Sequence, residues 1–421
     1  MNQLCRCIFL SITLISCHKP ELSQFCEVGS DSFFFQVLFR DFTKSQSPVC
    51  GLRFSNPSSD SIKACELTNE AAIKAENWNA IKNEMESQFL KGSSGTETVS
   101  SYGGAVPSYV TESFQTALIS SSDEIFFIPY RGTNFIKVNP RTNAVSTLAP
   151  YSGVIFYIGG AMTQADIIYL APHLTNIFYA YNIKNNTVSS IGTQSIAGSA
   201  FSGGITSRNG IVYFNPSGEL KVWYYNTTTN TFGSINTALS GSYAASVLAP
   251  NGKIYMIPFD ATEVIKIDPD SQSIQTIGPT IVGTAKYISG VLTPDGKIYM
   301  IPYENDTLRY IDTNTDSIVS FGPTLSPTSP GKFNGAVLAP NGKIYLIPYG
   351  NLTFASIDTR NGNAYATFGT NPNGAFRGGA LTSDGKIYLS PYQVNSFYYI
   401  DTKSVGSFCL PIRFASYWNK H

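Results

Sequence analysis

Charge is what this sequence has least of. Among 421 residues there are 28 Lys or Arg and 28 Asp or Glu, so the formal net charge is zero and charged side chains make up 13%. That is about half the usual share of about 25%. A neutral chain lacks the surplus cations that neutralise phosphates, which excludes non-specific nucleic-acid binding. Histidine is equally scarce, with only His18, His173 and His421. No CxxC pair occurs either, so a zinc site built from Cys and His is not expected. EF-hand loops, phosphate-binding glycine loops and HExxH segments are likewise missing. The apolar run near the start, Ile8 to Ile15, is too short for a membrane-spanning helix, which needs roughly 20 residues. Aromatic residues, by contrast, reach 13%, with 35 Gly and 23 Pro. Few charges with many aromatics and turn formers point to an all-β protein outside the cytoplasm rather than to a helical bundle or a disordered chain.

The N-terminus fits that compartment. Arg6 gives a minimal positive region, and Ile8 to Ile15 suits the core of a signal peptide. The run ends in Leu14-Ile15-Ser16-Cys17, which resembles a bacterial lipobox. The resemblance implies a signal peptide over 1–16, cleavage before Cys17, and acylation of its thiol and new amine. Several acyl chains would anchor the protein stably, since each buried CH2 is worth about 0.8 kcal/mol. The expectation is an exported lipoprotein on a bacterial membrane, the outer one, facing the periplasm or the cell surface. Cys26, Cys50, Cys65 and Cys409 remain beside it as disulfide candidates, with three possible connectivities. If all four pair, one bridge must join the N-terminal segment to the C-terminal end.

Residues 17–91 form an N-terminal segment with a helix expected over about 68–91. Ile73, Trp78, Ile81, Met85 and Phe89 fall near one face, and Gly92 ends the pattern. Mixed charge on its polar face favours docking on protein over lying on a membrane. GSSGTETVSSYGG, residues 92–104, reads as a flexible linker.

From 105 to 421 the chain repeats. VLAPNGKIYMIPFDATEVIKIDP, VLTPDGKIYMIPYENDTLRYIDT, VLAPNGKIYLIPYGNLTFASIDT and ALTSDGKIYLSPYQVNSFYYIDT are the clearest copies. Pro129, Pro172, Pro216, Pro258, Pro302, Pro348 and Pro391 recur at intervals of 42 to 46 residues. A period of that length marks a solenoid or a propeller. Within one repeat, GAVLAP reads as a strand and Asn341-Gly342 as a hairpin turn with positive φ at both central residues. KIYLIPY, TFASIDT and AYATFG supply three more strands. Four short antiparallel strands without a helix make one propeller blade, and seven copies make seven. Three registers support this. Thirteen residues before each proline begins a small pair: Thr116-Ala117, Gly159-Gly160, Gly203-Gly204, Ala245-Ser246, Ser289-Gly290, Gly335-Ala336 and Gly378-Gly379. Such pairs suit strands converging on an axis. Two residues earlier stand Phe114, Tyr157, Phe201, Tyr243, Tyr287, Phe333 and Phe376. Three residues before each proline stand Phe126, Tyr169, Tyr213, Tyr255, Tyr299, Tyr345 and Tyr388.

The phrase G-x-x-L-x-P-[ND]-G-K-I-Y-x-x-P resembles the repeat core of NHL-type, YVTN-type and lyase- or lactonase-like propellers, over about 300 residues from Phe114 to about Ala415. The resemblance implies a seven-bladed propeller and no single function, because such propellers host binding modules, lyases, lactonases and quinoprotein dehydrogenases. The usual V-D-P aspartate is Ala or Thr in the clearest copies, so any role of that carboxylate is lost.

Two sets of residues are candidates for function. Asn139, Asn182, Asn226, Asp268, Asp312, Asp358 and Asp401 recur once per blade, but they begin strand-connecting turns and are expected to cap them rather than bind metal. The residues after the prolines are Tyr130, His173, Ser217, Phe259, Tyr303, Tyr349 and Tyr392. With Lys286, Lys332 and Arg377 from the long connections, they would form an aromatic, mildly basic cup for a sugar, a peptide or a protein. Packing between blades is the competing explanation of that ring. Near-identical repeats and a lone His173 within the blades favour binding over catalysis, so no catalytic residue, metal or cofactor is assigned. The alternatives are a lactonase-like hydrolase or lyase holding a divalent cation, and a structural spacer.

Overall fold

A computed structural model of the chain describes residues 92–405, apart from 108, 110–111, 131–133, 149–156, 164, 197, 237, 327–330, 350–352 and 373. The signal segment, Cys17, the expected helix and Cys26, Cys50, Cys65 and Cys409 lie outside the described residues.

The repeats fold into seven four-stranded antiparallel sheets. The innermost strands are Phe114–Ile119, Tyr157–Met162, Phe201–Thr206, Tyr243–Leu248, Tyr287–Leu292, Phe333–Leu338 and Phe376–Leu381, and they define blades 1 to 7. Each lies beside the innermost strand of the next blade, and the last lies beside the first. The ring is a closed seven-bladed β-propeller. Burial falls outward through each blade. In blade 6, Lys343–Pro348 is buried from Ile344 onward, whereas the outermost strand Ala364–Phe368 is largely open. A second strand covered on both faces must be apolar without interruption, as I-Y-L-I-P is. The core lies between blades: Tyr255, Ile257 and Val264 of blade 4 pack with Tyr287, Leu292, Ile298 and Met300 of blade 5. Burying one such side chain contributes about 1.5–3 kcal/mol.

Each sequence register has a distinct structural cause. The aromatic at the start of each innermost strand is buried and pairs across the hairpin with the repeat proline, as Tyr287 does with Pro302 and Phe376 with Pro391. One residue later every innermost strand bulges: the register shifts between Phe114 and Thr116, and at the equivalent place in the other six blades. Gly159, Gly203, Gly335 and Gly378 sit in these bulges with φ of 66°, 134°, 108° and 69°. The second small residue has its own reason: a Cβ on Gly160 would lie 2.6 Å from the Tyr169 carbonyl oxygen. Crowding therefore comes from the partner strand of the same blade as well as from the axis. At Gly290 it comes from the neighbouring blade, through Val247 and Ile257.

In blades 4, 5 and 7 the third register forms latches to the next blade. The Tyr255 hydroxyl donates to Asp316 at 2.7 Å, Tyr299 to Asn363 at 2.6 Å and Tyr388 to Asn143 at 2.8 Å, each acceptor belonging to the following blade. These acceptors occupy turns with φ of 54°, 61° and 55°. Phe126 has no hydroxyl, and Tyr181 of the next blade supplies the bond to Asn186 instead.

The recurrent Asn and Asp residues cap turns. Each accepts the backbone N–H two residues on, from Asn139 with Arg141 to Asp401 with Lys403. The first hairpin differs from the sequence reading. Only the glycine has positive φ: Gly252 at 77°, Gly296 at 83°, Gly342 at 82°. Gly252 N–H donates to Ala249, and Ala249 N–H donates to Lys253. Pro250 and Asn251 are thus the centre of a type I turn, followed by a left-handed glycine. Proline fixes φ near −65°, which suits the first central position of that turn and rules out a positive φ there.

A second correction concerns the expected linker. Thr98–Tyr102 is a strand, paired with Phe397–Asp401 as the fourth strand of blade 7. The ring therefore closes by joining the two ends of the described chain in one sheet.

Candidate functional site

The second strands all end on one face, where each proline delivers the following residue. Backbone bonds fix this ring. Tyr130 N–H donates to Ser113, Phe259 to Ser242, Tyr303 to Lys286, Tyr349 to Lys332 and Tyr392 to Ala375. The structure brings together four of the aromatic residues in an arc over blades 4 to 7. Ring centroids are 5.8 Å apart for Phe259 and Tyr303, 5.5 Å for Tyr303 and Tyr349, and 5.9 Å for Tyr349 and Tyr392. Tyr130 meets His173 at 6.0 Å on the other side. Tyr392 is buried, while Phe259, Tyr303 and Tyr349 are half-buried and offer surface. Burial and the adjacent Tyr349, which takes its hydroxyl proton in a hydrogen bond, push Tyr303 up to about 12.

The three cations part company. Arg377 reaches the mouth: its guanidinium lies 3.8 Å from the Tyr392 ring centroid and 5.6 Å from that of Tyr349, and it donates to Gln115. Lys286 and Lys332 do not line the cavity described below; both are 1% exposed. Lys286 Nζ donates to the Gly283 carbonyl at 2.7 Å. Lys332 Nζ donates to the Glu304 carbonyl at 3.1 Å and lies 2.8 Å from the Asp306 carboxylate. Their backbones bridge two blades, and their side chains staple the loops there. His173 is half-buried, with Nδ1 3.3 Å from the Phe201 carbonyl oxygen. Burial lowers its pKa, the bond to the Phe201 carbonyl opposes this, and the charge of Arg377 adds to the lowering, so the net direction favours the uncharged imidazole.

Beneath the aromatic arc lies a cavity of about 190 Å³. Gln115, Ile158, Ser202, Ala244, Ile288, Asn334 and Arg377 line it, one from each blade, with Ser217, Ser242, Tyr243, Phe259 and Tyr303 above. The seven occupy one position, directly after the buried aromatic and at the bulge, which turns that residue towards the axis. Six of them were not singled out from the sequence. The signal was there: in a strand otherwise built of aromatic and small residues, this register reads Gln, Ile, Ser, Ala, Ile, Asn, Arg. Sevenfold sameness ends where the residues face the axis. Among the described residues, no three His, Cys, Asp or Glu side chains gather as a metal site would need.

No family model matches the chain, and no curated protein matches it. Solved structures do. A streptogramin B lyase shares 12% identity at a TM-score of 0.61, over 72% of this chain and 97% of that one. Virginiamycin B lyase from Staphylococcus aureus shares 9% at 0.59, over 72% and 99%. Hydrazine synthase of Kuenenia stuttgartiensis shares 16% at 0.58, over 72% and 100%. At these identities the likeness is one of fold: the chain is a seven-bladed β-propeller resembling those of the streptogramin B lyases.

Proposed function

We propose that the protein is an exported lipoprotein, held to a bacterial membrane by acyl chains on Cys17, that binds a protein, peptide or carbohydrate in the mouth of its propeller without transforming it. The observation that carries this reading is the broken symmetry at the mouth. Packing requires the small register and the two aromatic registers to repeat, and they do. It does not require six different residue types over the seven axis positions, nor a continuous aromatic arc above them. A concave, mostly apolar site with a few converging polar groups is the usual form of a ligand pocket.

The reading predicts that a ligand selected on peptide and glycan arrays with the full chain is lost when Phe259, Tyr303 and Tyr349 are replaced together by Ala. These three are chosen because they are half-buried, so the variant keeps its fold by circular dichroism. A folded variant with unchanged binding overturns the cup.

A second reading draws on the fold of virginiamycin B lyase, for which a catalytically inactive His-to-Ala variant has been solved with quinupristin. His173, an uncharged imidazole at the mouth, would be the acid or base of such a reaction. Mass spectrometry of the selected ligand after incubation separates the two: an altered mass that disappears with His173→Ala supports the lyase.

A further inference from the structure

We infer that the ligand of the mouth carries a carboxylate that seats on Arg377, joined to a compact apolar body that lies against Ile158, Ala244 and Ile288. The inference rests on the mouth being the binding site and adds the chemistry of what enters it.

The first support is the order of residues around the axis. Asn334, Arg377 and Gln115 come from blades 6, 7 and 1, so they are contiguous across the seam. Ile158, Ala244 and Ile288 come from blades 2, 4 and 5 on the remaining arc. Ser202 of blade 3 stands among them, but its hydroxyl is already engaged with the carbonyls of Tyr243 and Ala244, at 2.7 and 3.0 Å. The cavity therefore has a polar, cationic arc facing an apolar one. A sugar, polar around its whole rim, would leave hydroxyls against the isoleucines. A purely apolar ligand would bury the guanidinium without a partner.

The second support is the state of Arg377. Among the described residues it is the one charged residue lining the cavity. No carboxylate among the described residues pairs with it, and its Nε is buried without a hydrogen-bond partner. Glu112, the nearby acid, takes the Tyr392 hydroxyl instead. The ring of Tyr392 supports the guanidinium from one face, which orients the fork without neutralising it. A partly desolvated cation with no anion beside it is costly until one completes it. A carboxylate fits that fork with two parallel bonds. A phosphate dianion would call for further cations, and Lys286 and Lys332 are committed elsewhere.

A cavity of about 190 Å³ holds a carboxylate and one ring-sized apolar group. Two sources present that chemistry: a free carboxylic acid, or the C-terminal residue of a peptide whose chain leaves through the mouth. Titration calorimetry on the full chain with phenylacetate and with its uncharged isostere phenylacetamide tests the inference. Phenylacetate should bind at least about tenfold more tightly, because hydrogen bonds to charged groups are the stronger kind. Arg377→Met should abolish the difference, and Arg377→Lys, which keeps the charge but not the fork, should reduce it. N-acetyl-alanyl-phenylalanine with a free C-terminus, compared with its amide, separates the sources. Tighter binding than phenylacetate supports the peptide, and weaker binding supports the free acid. Equal binding of acid and amide, or a preference that survives in a folded Arg377→Met, overturns the carboxylate and leaves the mouth reading intact. So does a failure of every probe to bind while the array-selected ligand still depends on Phe259, Tyr303 and Tyr349.

Discussion

At Asp123 the chain puts a carboxylate where most blades have glycine. Blades 3 to 7 turn from first to second strand through glycines with φ between 77° and 83°, whereas blades 1 and 2 use Asp123 and Asp166 at 61° and 59°. Each aspartate uses its side chain to tie its blade to the preceding one. Asp123 accepts the backbone N–H and the hydroxyl of Ser383 at 2.9 and 2.5 Å, across the seam between blades 7 and 1. Burial wins over those bonds and raises its pKa from 3.8 to about 6. Raised above its unfolded value, the group stabilises the fold fully only below about pH 4, and that contribution is lost as pH rises through about 6. The difference corresponds to about 3 kcal/mol. Asp123→Asn keeps an acceptor for the Ser383 N–H and has no charge to bury. Urea denaturation of the two proteins should show the variant gaining on the wild type between pH 4 and 7, by up to about 3 kcal/mol. A pH-independent difference overturns the argument. Single residues of this kind were only partly legible in the sequence. The small register and the two aromatic registers could be read because packing imposes one size on all seven copies. Asp123 and the ring from Gln115 to Arg377 could not, because they depart from the repeat, and a departure becomes a signal only once the fold says which way the residue points.

The strand Thr98–Tyr102 shows the same limit at the level of an element. Gly, Ser and Thr dominate 92–104, which is the composition of a linker, and only Val99 and Tyr102 in the strand carry larger apolar side chains. Outermost strands elsewhere are similarly poor, Ala144–Leu148 and Ser273–Ile277 among them, because only one face meets the core. Composition therefore cannot separate such a strand from a linker. The structure separates them through Tyr102, 8% exposed, whose ring lies 5.0 Å from Tyr388 and 5.5 Å from Phe397. Its hydroxyl is buried without a hydrogen-bond partner. Tyr102→Ala should cost about 3–5 kcal/mol, as removal of a buried aromatic side chain does. Tyr102→Phe keeps the ring, removes only an unsatisfied polar atom, and should cost nothing or stabilise slightly. Chemical denaturation of both variants tests the pair. If Tyr102→Ala proves harmless, the strand does not hold the ring shut.

Closure also decides which way the molecule faces. Second strands run to the mouth, so third strands run away from it, and Asp401 ends the third strand of blade 7 on the far side. Thr98 pairs with Asp401, so the chain enters the propeller at that same far face. There Ser93 bridges Ser404, and Ser94 N–H donates to the Lys403 carbonyl at 2.7 Å. Glu97 adds an ion pair with Lys343 of blade 6 at 3.1 Å. Both ends of the described chain thus leave opposite the mouth. The described chain therefore joins the residues before Gly92 at the face opposite the mouth. The mouth side, meanwhile, carries exposed apolar residues on its rim: Leu174 is 54% exposed, Leu220 71% and Val282 78%. Lone exposed apolar side chains are ordinary, but three in the loops of one face suit a partner wider than the cavity. Coupling the full chain to beads through Asn314→Cys, in a far-side turn, should leave the array-selected ligand bound at full capacity. Coupling through Leu220→Cys should obstruct it. Equal capacity from the two attachments would place the ligand elsewhere on the ring, because a ligand seated on the aromatic arc and the residues beneath it is shielded from the mouth side.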